Sequence, residues 1–157
     1  MMMRDDTRDL LMLTTLTRFG DAGLLLLRWV TGAFLLYQSH DNVISSARMA
    51  EFVGFCRQFG VPYPEIAAPL SVFWQIAAGV GFVLGLFTRW LGLVTTFNFI
   101  VACWFVHWSQ PFNGWWPALI LVFLGLYFGT RGAGRYSIDA LIAQRATAHR
   151  VCSPLQV

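Results

Sequence analysis

Charge is what this sequence has least of. Only 12% of its 157 residues are Asp, Glu, Lys or Arg, against 57% hydrophobic and 16% aromatic, which excludes a soluble domain of ordinary make-up. Lysine is absent altogether. Every basic residue is Arg, the arginines sit singly rather than in a patch, and a net charge of +3 therefore supplies no nucleic-acid surface. No glycine-rich loop follows a strand-like run, which removes a phosphate-cradling nucleotide site. The cysteines Cys56, Cys103 and Cys152 are far apart with no C-x-x-C, so neither a zinc framework nor a dithiol redox motif is available. They read as unpaired thiols that behave as small hydrophobes. Asp5, Asp6, Asp9 and Asp21 interrupt the N-terminal region, so it does not read as a signal peptide, and the first apolar segment is expected to stay attached.

What is present is apolar length. From Ile66 to Thr88 there is no charged residue, and after Arg89 the next formal charge is Arg131. About 20 apolar residues cross a bilayer as a helix, since in hydrocarbon a helix satisfies its own backbone. The pattern predicts an all-α integral membrane protein, a four-transmembrane-helix bundle with spans at about 22–39, 66–88, 90–107 and 116–130. Spans two and three form a hairpin bent at Thr88-Arg89, and Pro117 suits the first turn of span four. An interfacial helix, SSARMAEFVGFCRQFG, joins spans one and two, with Ser45 or Ser46 as its cap and Gly60 and Pro62 as its stop. Residues 1–20, with Leu10, Leu11, Leu13 and Leu16 near one side, read as a surface segment. Residues 131–157 read as a flexible glycine-rich link followed by a short amphipathic helix capped by Ser137. Arginines outside the spans divide eight to two, with only Arg48 and Arg57 on the poorer side. The richer side is expected to be cytoplasmic, which places both termini inside a multi-pass inner-membrane protein.

Polar residues inside spans are costly and often mark a ligand or proton path. Arg28, Asn98, Gln75, Gln38 and His107 fall at depths of roughly 10, 13, 20, 25 and 26 Å from the arginine-rich face. The expectation is that Arg28, Gln75, Asn98 and Gln38 converge on one cavity as ligand-binding groups, with Trp74 and Trp104 as aromatic contacts. Gln75 shares a helix face with Ser71, Gly79 and Phe82, whereas Asn98 and His107 point to opposite sides of span three. The alternative is that Gln75 and Asn98 simply bond helices together. A second cluster, His40, Asp41, Asn42, His107, Trp104, Trp108, Trp115 and Trp116, lies at the other boundary. It reads either as an aromatic belt or as a pocket where a flat ring stacks and His107 or His40 exchanges protons. Two histidines are too few for a metal site. Ala77, Gly81 and Gly85 form a small-residue ridge expected to be a close helix contact.

Three stretches in order, LLRWVTGAFLLYQSHDNV from Leu26, GLFTRWLGL from Gly85 and GAGRYSIDAL from Gly132, resemble the DoxX family of small four-span bacterial membrane proteins. The resemblance covers roughly Leu24 to Ile142. It implies a respiratory or redox setting: family members are linked with a thiosulfate:quinone oxidoreductase, with membrane-associated oxidative-stress complexes and with quinone or catechol resistance, and a more distant similarity runs to vitamin K epoxide reductase. Here Gln75 stands where many members carry an acidic residue, and His40-Asp41-Asn42-Val43 where many have a Lys. The reading is a bundle that binds a quinone or similar hydrophobic redox molecule, with membrane lipid, a partner oxidoreductase and a second copy of the chain as candidate partners and no nucleic acid. The alternative is a non-catalytic accessory subunit that docks another enzyme, with a small-molecule transporter a more distant reading.

Overall fold

The computed structural model describes residues 14–108 and 110–151. Leu10, Leu11, Leu13 and Cys152 lie outside the described residues. A 3-10 turn, Thr14–Phe19, leads into α1, Gly20–Ile44. Then come α2, Ser46–Gln58, α3, Pro64–Leu84, α4, Thr88–Ala102, α5, Phe112–Arg131, and α6, Ile138–Val151. Four stretches, Leu16–Ile44, Pro64–Leu84, Thr88–Val106 and Phe112–Arg131, are long and apolar enough to cross a membrane. The chain is therefore an all-α membrane bundle with α2 and α6 as its two short additions.

The spans associate as two pairs, α1 with α3 and α4 with α5, joined by α3 against α4. Glycines set both pairings. A Cβ on Gly32 would fall 2.7 Å from the Gly79 carbonyl oxygen, and one on Gly92 would fall 2.6 Å from that of Gly125. Backbones approach this closely in lipid because packing, not water exclusion, holds helices together there. Phe82 and Phe128, rings 4.8 Å apart, bind the two pairs through a core that includes Leu35, Phe99 and Leu121. Large apolar side chains such as Val30, Phe73, Phe97 and Phe123 stay exposed, as lipid-facing surfaces do. The expected Ala77-Gly81-Gly85 ridge does not form one seam. Gly79 meets α1, Gly81 accommodates Leu91, and Gly85 turns left-handed against Arg28.

Several boundaries differ from expectation for local reasons. Span two stops at Leu84, with Gly85 and Phe87 both at positive φ, so the bend precedes Thr88. Span four begins at Phe112 after Pro111, which places Pro117 inside the helix. Beyond Ala102, α4 widens into a π-turn, Cys103–His107. Ser45 caps α2, accepting from the Arg48 amide at 3.4 Å, and Arg57 pairs with Glu65 to clasp α2 to α3.

The tail is no loose link. Asp139 accepts from the amides of Phe87 and Thr88 at 2.9 and 3.0 Å, capping α4 across the chain, and its own amide donates to Gly85 at 2.9 Å. A residue such as Phe87 at φ 50 is unfavourable, and the carboxylate holds it there. Ser137 caps α6 through the Ala140 amide at 3.1 Å. One end of the bundle thus carries the described termini and this tail, the other carries α2.

Candidate functional site

Three elements meet beneath α2. Ala67, Ser71 and Gln75, four residues apart, line one face of α3. Ser39 of α1 donates to Gln75 Oε1 at 2.9 Å, and Gln75 Nε2 donates to Ser71 Oγ at 3.0 Å. This chain fixes the Gln75 amide. Opposite stand Asn98, Phe99 and Ala102 of α4 with Val106 of the π-turn, and α2 covers the space with Phe52, Phe55 and Cys56. The cavity holds about 300 Å³ and is partly open to the outside. A π-turn re-aims the residues after it and often accompanies a site, and here it shapes the wall formed by Ala102 and Val106.

The wall is apolar and aromatic with three amides, Gln38, Gln75 and Asn98, and carries no formally charged side chain. Gln75 is held by two serines. Asn98, half-buried, has no side-chain hydrogen-bond partner among the described residues. Cys56 is the titratable group in this wall, and burial pushes its thiol up, which leaves it protonated and unreactive at neutral pH. Such a cavity suits a neutral, flat molecule with a hydrogen-bonding carbonyl or hydroxyl, because nothing in it would compensate an ion's lost hydration. Gln38 is exposed at the mouth and, with Phe52 and Phe55, is shared with an open cleft bordered by Asp41, Asn42, Arg48 and Glu51.

Of the residues singled out by sequence, Gln38, Gln75 and Asn98 come together. Arg28 does not join them. It is 1% exposed at the opposite end, where Nε donates to the Phe82 carbonyl at 3.0 Å and Nη1 donates to the carbonyls of Ala133 and Tyr136. The expected shared cavity is corrected on this point: Phe82 and the tail that folds over the guanidinium supply acceptors to Nε and Nη1, so Arg28 is held at the opposite end of the bundle, with its Nη2 buried and without a partner among the described residues. Trp74 faces a separate groove that also contains Trp90. Trp104 is exposed, its ring 5.6 Å from that of Trp108. His40 is exposed, with Nδ1 2.5 Å from the Tyr37 carbonyl oxygen and Nε2 2.9 Å from Asp41. The side chain of His107 lies outside the described residues. Sequence reasoning missed Cys56 and the phenylalanines of α2 as cavity residues, and Ser39 as the donor that fixes Gln75. The four-residue spacing of Ser71 and Gln75 was the usable signal; nothing local announces that α2 folds over them.

The family model described as DoxX matches residues 23–108. That interval takes in α1 from Gly23 onward, α2 to α4 and every residue of the cavity. No curated protein and no solved structure matches the chain.

Proposed function

Because this chain belongs to the DoxX family of membrane proteins, we propose that it binds a neutral, ring-bearing hydrophobic molecule of the quinone class in the cavity beneath α2, within a membrane oxidoreductase or oxidative-stress system. The observation that carries the reading is Asn98, an amide without a partner set among Phe52, Phe55 and Phe99. A bound quinone would bring two-electron, two-proton redox chemistry to this place. The chain's own contribution is to bind and orient: Asn98 donates to a ring carbonyl, Gln75 borders the ring without rotating, and α2 roofs the space. No acid or base other than Cys56 stands among the described lining residues, so the cavity residues hold the ligand rather than move its protons.

The test is binding of a short-tailed benzoquinone to the purified protein. Asn98→Leu removes one hydrogen bond worth about 1 kcal/mol and is expected to weaken binding about fivefold, with unchanged thermal stability. Equal affinity in Asn98→Leu and the parent refutes the assignment.

One observation favours a second role as a docking subunit. Leu141 and Ile142 of α6 are both more than half exposed on a helix whose start is bolted to the bundle. Deleting the whole tail would remove the acceptors of Arg28, so the discriminating change is Leu141→Glu with Ile142→Glu. Loss of a co-purifying enzyme with quinone binding intact supports docking.

A further inference from the structure

The tail end of the bundle carries a second pair of cavities that adjoin. The first, about 370 Å³, is bordered by Arg89, Arg131, Gly132 and Asp139. The second, about 500 Å³, is an apolar groove between α3 and α4 walled by Ala77, Val80, Leu84, Leu91 and Val94. Phe87 and Trp90 belong to both. A basic recess therefore adjoins an apolar groove that also borders Trp74.

From this juxtaposition we infer that the chain binds one anionic phospholipid, its phosphate-bearing headgroup at Arg89 and Arg131 and one acyl chain in the α3–α4 groove. The charge balance supports an anion. Arg89 and Arg131 are exposed and form no ion pair among the described residues. Asp139, the one carboxylate in the recess, has both oxygens engaged by the Phe87 and Thr88 amides and interacts electrostatically with buried Arg28. Two unpaired guanidinium groups thus line the recess with one carboxylate that is already engaged. Placement supports it as well. Gly132, at φ +80, lies so near Arg89 that a Cβ there would fall 3.0 Å from Nε, so the Arg89 side chain packs against the turn that ends α5. A free anion would need only the recess; the adjoining apolar groove is what selects a lipid. Basic pockets at helix ends recognise anionic headgroups in this way.

The experiment uses the full chain, purified in detergent, and native mass spectrometry to compare retention of phosphatidylglycerol and phosphatidylcholine of equal chain length. The parent is expected to retain phosphatidylglycerol about tenfold better, given two arginines near the headgroup. Arg89→Gln with Arg131→Gln should abolish the preference, Arg131→Gln alone should halve or better reduce it, and Arg48→Gln with Arg57→Gln at the other end should leave it intact. Val80→Trp, which fills the groove, should lower retention of both lipids. The inference fails if the double variant keeps its preference, if Val80→Trp leaves retention untouched, or if inorganic phosphate alone displaces the lipid.

Discussion

A guanidinium in an apolar helix is tolerated when its donors find oxygen, and Arg28 finds three carbonyls from two distant segments, Phe82 on α3 and Ala133 and Tyr136 in the tail. Hydrogen bonds to a charged group are worth about 1.5–3 kcal/mol each, and truncating the donor strands its acceptors. Arg28→Leu is therefore expected to destabilise the bundle by about 3 kcal/mol, seen as a lower melting temperature, while quinone binding per folded molecule stays within twofold. A variant that melts normally but cannot bind would return Arg28 to the ligand site. Cys56 gives the pH counterpart. Burial pushes its thiol up, so folding favours the protonated form; the stability this provides is complete below the ordinary thiol range near ~8.5 and is lost as pH rises through the elevated value. In a Cys103→Ser, Cys152→Ser background, maleimide labelling of Cys56 should be slower than that of a free thiol at pH 7.5 and approach it only above that range. Labelling at the free-thiol rate at neutral pH would show that α2 does not cover the cavity.

Among elements, the two helix pairs depend on the absence of side chains at particular positions. Gly92 faces backbone, with the Gly125 carbonyl oxygen and the Gly129 amide nitrogen each 2.6 Å from where a Cβ would sit, whereas Gly54 of α2 has nothing within 4 Å. Gly92→Ala should then force α4 and α5 apart and lower the melting temperature markedly. Gly54→Ala, relieved of glycine's helix penalty of up to about 1 kcal/mol, should raise it slightly. Thermal unfolding of the two variants side by side checks both, and equal effects would mean that the α4–α5 contact is looser than described. The spans themselves were legible because a charge-free run has few other fates, and so was the Ser45 cap, a local signal. The start of α4 was not. Thr88 begins that helix because Asp139, 51 positions later, accepts its amide, and no periodicity in GLFTRWLGL contains that fact. Arg28 was misplaced for the same reason: depth along a helix is readable from sequence, but the tail that returns to cover it is not. Gln75 and Asn98 do line one cavity, and each sits near the middle of its own span, where hydrocarbon leaves a polar group only the bundle interior.

For the molecule as a whole, the two ends are built differently. One is sealed by Arg28, Asp139 and the tail; the other is roofed by α2 and opens through the cleft that shares Gln38, Phe52 and Phe55 with the cavity. Among the described residues Arg18, Arg89, Arg131, Arg135 and Arg145 lie toward the sealed end, and Arg48 and Arg57 lie at the roofed end. Arginine bias sets orientation through short loops near the span ends, so the sealed end is expected to face the cytoplasm. A membrane-impermeant maleimide applied to intact cells should label Asn42→Cys and spare Gln144→Cys in a cysteine-free background, with both labelled after lysis. Because Asn42 borders the cleft at the cavity mouth, the same labelling reports the side from which a ligand enters. Protection of Asn42→Cys together with labelling of Gln144→Cys would invert the topology, and a quinone-class ligand would then reach Asn98 from the cytoplasmic leaflet.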